Sequence, residues 1–252
     1  MNLRTFYKIF YKHRIAKASF FLRIYTFIVV PFKYLHNIFF FEKKVNLDEH
    51  KIKFPNLGKK NLNSLFEYFN SDKGESFINQ YLQPAKKNKI KIKAHGYAKI
   101  YENVFVNLKN TRINILELGS FYGNAAAAFY FYFDEAYIYS GDIYPDLFKY
   151  KSNRIKNFYV DSSSRNSLSK NLLSKKNNFD ISFSWPIDKQ THNSIYKILT
   201  KCLNVKTVIL GDDGIIYSKE GIISRDLIIQ DAMSLLFLLL KMISFKVTGK
   251  HL

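Results

Sequence analysis

The chain has 252 residues, 47% of them hydrophobic, and carries 39 Lys and Arg against 20 Asp and Glu, for a formal net charge of +19. This length can bury one full-sized core with a smaller unit beside it, and the apolar content excludes a disordered polypeptide. The single cysteine, Cys202, excludes an internal disulfide framework and any CxxC metal site, so a reducing, cytoplasmic compartment is expected. Composition leaves two explanations of the charge open: an anionic partner, or AT-biased coding that enriches Lys, Asn, Ile, Phe and Tyr together.

Residues 1–44 form a basic aromatic arm, with nine Lys or Arg against the single acid Glu42, a local excess of +8. Its longest uncharged run, Ile24 to Phe32, is nine residues, far below the roughly 20 needed to span a bilayer. Pro31 is expected to break a helix there. Neither a compact apolar stretch nor a small-residue cleavage site marks a signal peptide. Phe6, Ile9 and Phe10, then Phe20, Ile24, Phe27 and Ile28, follow helical spacing with basic residues interleaved. That pattern suits an amphipathic helix on an anionic membrane surface, which would make the protein membrane-peripheral. It equally suits an arm packed on the protein's own body or on a second subunit.

From 45 to 111 the pattern mixes helix and loop. "NLNSLFEYF" (Asn61 to Phe69) reads as a short helix and "SDKG" (Ser71 to Gly74) as a polar turn. "AKKNKIKIK" (Ala85 to Lys93) reads as a solvated loop or an edge strand guarded by lysines. "HGYAKIYENVFVNL" (His95 to Leu108) reads as a helix.

From 112 to 252 strands and helices alternate. Strands are expected at Ile113 to Leu118, Ala136 to Asp142, Phe158 to Asp161, Phe179 to Ser184, Lys206 to Asp212 and Ser244 to Gly249. Helices are expected between them, at Lys189 to Cys202 and Arg225 to Met242 among others. This alternation predicts an α/β, Rossmann-like, mostly parallel sheet with helices on both faces and ligands at the carboxyl ends of its strands. "SFKVTG" supplies a sixth strand and the sequence stops at Leu252, so a last strand is expected to be missing.

The stretch "ILELGSFYGNAAAAF" (Ile115 to Phe129) closes the first of these strands with an acid and two glycines. A dinucleotide site wants Gly-x-Gly-x-x-Gly for its pyrophosphate, but here Phe121 stands where the middle glycine would be, and Glu117 would repel the anion. S-adenosylmethionine reverses that logic. Its ammonium and sulfonium welcome Glu117, and Gly119, Ser120 and Gly123 form the turn around it. Asp142, ending the second strand, can accept from both ribose hydroxyls. Asp161 and Ser162, ending the third, can meet the adenine edge.

On these residues the chain resembles a class I S-adenosylmethionine-dependent methyltransferase from about Ile113 to Gly214. "SDKG" and "HGYAKIYE" resemble the segment preceding that domain in macrolide-sugar O-methyltransferases of the mycinamicin and macrocin type. The resemblance covers roughly three fifths of the chain. It implies the methyl donor as cosubstrate, a small-molecule or glycan acceptor, often a Mg2+ ion near the acceptor hydroxyl, and Asp72, His95 and Tyr97 as an acceptor-side lid. In such relatives the fourth strand runs into two aspartates and a histidine; here Ser184, Trp185 and Asp188 stand at those places. That leaves Asp212 and Asp213 of "GDDG" as candidate cation ligands, and the same pair with His192 as candidates for acceptor activation. No helix-turn-helix, zinc-finger or RNP pattern is present, so nucleic acid is not the expected partner. Two alternatives stay open: an RNA ribose or carbon methyltransferase on charge alone, and a catalytically impaired, membrane-associated binding protein of the same fold. The oligomeric state is not legible.

Overall fold

The computed structural model describes residues 2–39, 44–78, 91–173, 179–184, 209–210, 216–218 and 221–223. The arm folds into helix α1 (Leu3–Ile9), which continues through a π-helical turn at Phe10–Arg14, and helix α2 (Phe20–Phe39). Buried Phe6, Phe10 and Val30 hold the two helices together, with Tyr7, Tyr11 and Tyr34 around them. Pro31 lies inside α2 and does not end it, contrary to the sequence expectation. A proline has no N–H for the carbonyl four residues back, which is that of Phe27. The Tyr7 hydroxyl donates to this carbonyl at 3.0 Å, so the orphaned acceptor is satisfied from α1.

Two asparagines start the next helices. After strand β1 (Val45–Asn46), the Asn46 side chain accepts from the Asp48 amide to cap α3 (Leu47–Lys53). Asn61 caps α4 (Leu62–Tyr68) by accepting from the Ser64 amide. Strands β2 (Ser76–Ile78) and β3 (Lys91–Lys93) pair antiparallel, Phe77 opposite Ile92, so of the loop and the strand read for Ala85 to Lys93, the described end is strand. Helix α5 (Ala98–Phe105) follows, shorter than expected because its end tightens into a 3-10 turn at Val106–Leu108.

Strand β4 (Asn114–Leu118) buries Ile115, Leu116 and Leu118 almost completely, the near-continuous apolar run of a central parallel strand. Helix α6 (Asn124–Tyr132) is buried along its whole length, and its four alanines allow close approach to the sheet. Strand β5 (Tyr137–Asp142), the short β6 (Tyr150–Lys151) and β7 (Ile155–Tyr159) come next, then α7 (Arg165–Leu173) and β8 (Ile181–Ser184). The third expected strand thus begins earlier, at Ile155, and its acid lies beyond the ladder. Two-residue β9 (Ile209–Leu210), β10 (Ile216–Ser218) and β11 (Gly221–Ile223) complete the described sheet.

The sheet order is β11-β10-β9-β8-β4-β5-β7. Five strands from β9 to β7 run parallel; β10 turns back antiparallel to β9, and β11 in turn antiparallel to β10. The other expected elements, Lys189 to Cys202, Arg225 to Met242 and Ser244 to Gly249, lie outside the described residues. Leu116, Leu118, Val160, Leu168 and Leu172 share one core with Tyr139 and Phe179. Ile115, Ile138, Ile181, Phe183 and α6 share the larger core with α4 and α5 on the opposite face. β1 pairs in parallel with β6, placing Val45 beside Tyr150 and tying the start of the second segment to the sheet domain.

Arg154 locks α6 against this sheet. Its guanidinium donates to the carbonyls of Tyr130 (3.0 Å), Phe133 (3.1 Å) and Ala136 (3.2 Å), the last groups of the helix and the residues just past it. Three acceptors at a helix C-terminus receive one cation, which also suits the helix dipole. Arg154→Ala is expected to cost about 1–3 kcal/mol, the scale for stranding buried acceptors. Urea unfolding should show a lower midpoint at unchanged slope; an unmoved midpoint would contradict this role.

Candidate donor site at the carboxyl edge of the sheet

The chain leaves β4 toward β5 and β7 on one side and returns to β8 and β9 on the other. The carboxyl end of β4 is therefore the topological switch point, where such sheets bind ligands. The turn after β4 is built from unusual backbone: Gly119 has φ +87°, Phe121 +45° and Gly123 +79°. The left-handed region costs an L-residue roughly 1–2 kcal/mol, so Phe121 needs outside support. Asp142 supplies it, one carboxylate oxygen accepting from the Phe121 amide (2.7 Å) and the other from the Tyr144 amide (2.8 Å). Burial pushes its carboxyl pKa up, and the amides offset only part of that. Gly123 has a packing reason for being glycine, since a Cβ there would lie 2.3 Å from the Phe148 ring. At Gly119 the positive φ is the constraint, with its amide donating to the Gly141 carbonyl at 2.8 Å.

Glu117 stands within β4, 1% exposed, opposite Ser140 in the ladder. Burial raises its carboxyl from 4.5 to about 7, against the pull of a neighbouring lysine. That lysine is Lys73, whose Nζ lies 3.8 Å from Glu117 Oε1 and 3.5 Å from Asp72 Oδ1. Among the described residues the other oxygen, Oε2, is buried without a hydrogen-bond partner, and so are the Ser120 hydroxyl and the Tyr101 hydroxyl. Native proteins rarely strand buried polar atoms, so this group fits a polar ligand. The residues match the amino-acid end of S-adenosylmethionine in kind: a carboxylate for its ammonium, a lysine for its carboxylate, and a glycine turn.

The "SDKG" turn and the His95 to Tyr97 segment meet at this end. The amides of His95, Gly96 and Tyr97 donate to the carbonyls of Asp72 (2.9 Å), Gly74 (2.7 Å) and Lys73 (2.9 Å). Asp72, His95 and Tyr97 are thereby brought together, and the His95 and Tyr97 rings stack at 5.3 Å. His95 is exposed, whereas Tyr97 is buried and belongs to the packing beneath the turn.

Asp161 is buried two residues beyond β7. One oxygen receives Lys12 Nζ at 2.6 Å, and the other receives the Ser163 amide (3.2 Å) and hydroxyl (2.6 Å). Burial alone would raise its pKa, but the Lys12 and Ser163 bonds bring it below the ordinary carboxylate value. Ser163, not the half-buried Ser162, makes the side-chain bond to this acid. The arm's π turn contributes more: Arg14 pairs with Asp146 at 2.6 Å, and His13 Nε2 meets the Tyr159 hydroxyl at 2.9 Å. The first helix of the arm is therefore docked on the body, at the edge where the adenine was expected.

His192, Asp212 and Asp213 lie outside the described residues, as do Trp185 and Asp188. Among the described residues no group of three or more His, Cys, Asp or Glu is placed to hold a metal. Sequence reasoning missed Lys73, Tyr101 and the arm's Lys12, His13 and Arg14. "SDKG" was noticed as a turn, but one lysine among 39 basic residues gave no signal of burial.

No protein-family description matches the chain, and no curated protein does. Solved structures do. The MycE methyltransferase from the mycinamycin biosynthetic pathway, in complex with Mg, SAH and mycinamycin VI, shares 16% identity over 61% of this chain, with a TM-score of 0.46. A second MycE structure, with Mg and SAH, shares 18% identity over 46%, with a TM-score of 0.38. A structure described as a protein-L-isoaspartate O-methyltransferase from Plasmodium falciparum, with S-adenosyl-L-homocysteine, shares 12% over 70% of this chain and 90% of its own, with a TM-score of 0.37. The chain spans 39% and 32% of the length of the two MycE structures. Over these stretches the chain is similar to these methyltransferases; its mixed α/β, mostly parallel sheet is given by its own strand order.

Proposed function

We propose that the chain is an S-adenosylmethionine-dependent methyltransferase that moves a methyl group to a hydroxyl oxygen of a sugar or glycan-like small molecule, working in the cytoplasm at a membrane face. The observation that carries this reading is Glu117: a buried acid with an unpartnered oxygen, beside Lys73, under a positive-φ glycine. A phosphate-binding turn has no use for that acid. When bound, S-adenosylmethionine supplies an electrophilic methyl on its sulfonium. Glu117 and Lys73 would hold its ammonium and carboxylate, and Gly119 would let it approach the backbone. Asp142 keeps the turn in shape and retains acceptor capacity for ribose hydroxyls. Holding donor and acceptor in line supplies much of the rate in such a displacement. Asp72 and His95 are proposed on the acceptor side. His192, Asp212 and Asp213 are proposed to take the acceptor's proton, with Asp212 and Asp213 as ligands if Mg2+ assists.

A second reading, a donor-binding protein without turnover, draws on Ser184 and Trp185 in place of the aspartates and on Lys12 already seated on Asp161. Methyl transfer to hydroxylated sugars, measured with and without EDTA, separates the two readings. Turnover supports the enzyme; tight binding of S-adenosylhomocysteine with no turnover supports the second.

Gly119→Val should abolish calorimetric binding of S-adenosylhomocysteine while the fold persists; unchanged affinity would remove the assignment. Asp142→Ala should weaken binding by about 1–3 kcal/mol. NADH bound with Asp142 required would replace the donor.

Glu117 also sets a pH dependence. It keeps its proton to pH about 7 when folded, against 4.5 as its ordinary value. Between those values the folded state holds the extra proton, so stability falls as pH rises through the window, by about 3 kcal/mol in total. Glu117→Gln should flatten that slope and be more stable than the parent at pH 8, while binding the donor more weakly. Parallel urea-unfolding profiles at pH 5 and pH 8 for the two proteins would contradict it.

A further inference from the structure

The two helices of the arm have opposite fates. α1 and its π turn are fixed to the body through Lys12 on Asp161 and Arg14 on Asp146, both at 2.6 Å, and Lys8 lies over the Tyr159 ring at 4.4 Å. Among the described residues α2 buries Thr26 and Val30 on one side, with Tyr34 packed beside Val30, and its opposite face is exposed. Phe21, Tyr25, Ile28, Phe32 and Leu35 recur at spacings of four and three, so at 100° per residue they fall within about 80° of arc. They are 82%, 62%, 59%, 67% and 49% exposed. A continuous stripe of large apolar side chains on a well-formed helix needs an occupant.

We infer that this face of α2 docks on an anionic lipid bilayer, lying flat in the headgroup layer, while α1 anchors it to the donor edge of the sheet. The donor site is then carried on the membrane surface. The inference rests on the proposed placement at a membrane face and names the surface that makes it. Charge selects the occupant. Lys33 is exposed about 120° round the helix from the centre of the stripe, Arg23 is exposed on its far side and Lys17 just before its start, and Glu42 is the only acid in the first 44 residues, which carry a net +8. Anionic headgroups complement that set, whereas a second copy on the same face would bring like charges together. A flat orientation follows from the helix itself: α2 has 20 residues, and no helix of the described residues is long and apolar enough to cross a membrane.

The test is co-sedimentation of the full chain with vesicles of phosphatidylcholine alone or with about 30% phosphatidylglycerol, the range in which a basic surface responds. The anionic vesicles should bind the chain and the neutral ones much less. Phe21→Glu with Phe32→Glu should lower partitioning at least about tenfold, since both side chains sit on the buried side of the proposed contact. These positions are exposed, so the melting temperature and the affinity for S-adenosylhomocysteine should stay as in the parent. Absence of binding to either vesicle overturns the inference, as does equal binding to both. Concentration-dependent dimerisation that the same two substitutions abolish would assign the face to a second copy instead. Loss of S-adenosylhomocysteine binding in the parent would sink the donor reading and leave the vesicle result standing by itself.

Discussion

A carboxylate buried at the end of the central strand governs this molecule. Glu117 cannot leave, because Leu116 and Leu118 on either side of it are buried in one core and Ile115 in the other. Nor can it ionise at little cost, because burial lifts its carboxyl to about 7. Lys73, drawn in by both Glu117 and Asp72, compensates for part of that cost, and the chain has to bring Lys73 there. The backbone bonds between residues 72–74 and 95–97 help hold its turn, which is how a lysine far from the sheet in sequence comes to lie beside β4. A buried ion pair of this geometry contributes little net stability and fits a polar site better than a packed core.

The rest of this carboxyl edge is organised by Asp142 and the arm. Asp142 braces the glycine turn through two amides, and Asp161 and Asp146 each receive a basic side chain from α1 or its π turn. The three acids at the carboxyl edge thus have different partners and different electrostatics. Burial holds the pKa of Asp142 up, while Lys12 and Ser163 hold that of Asp161 down. A ligand at this edge meets Glu117, lifted to about 7, at one end and an acid already paired with Lys12 at the other. A cationic donor with a polar purine suits that arrangement better than a dinucleotide phosphate does.

How much of this the sequence disclosed depended on range. The β4 and β5 strands and the glycine turn were legible because their signals are local: an apolar run, an acid, and glycines before an alanine-rich helix. Pro31 misled because its cost is met from elsewhere, by a tyrosine hydroxyl 24 residues upstream of it in sequence and by no neighbour. Gly123 was legible as part of the turn, but the packing of the Phe148 ring where its Cβ would lie was not. Lys12 on Asp161 joins positions 149 apart, and no periodicity in either segment announces it. The same holds for Lys73, whose neighbours in sequence are polar and whose burial arises only when the turn closes on β4.

The central claim, that Glu117 receives the donor's ammonium, is tested most directly by counting protons. Calorimetric titration with S-adenosylhomocysteine at pH 7, repeated in buffers of different ionisation heat, measures proton exchange on binding. Glu117 is then roughly half protonated and must ionise to meet a cation, so about half a proton should be released. Glu117→Gln should release none and bind more weakly. Binding by the parent chain with no proton release, at an affinity that the glutamine variant matches, would contradict the account.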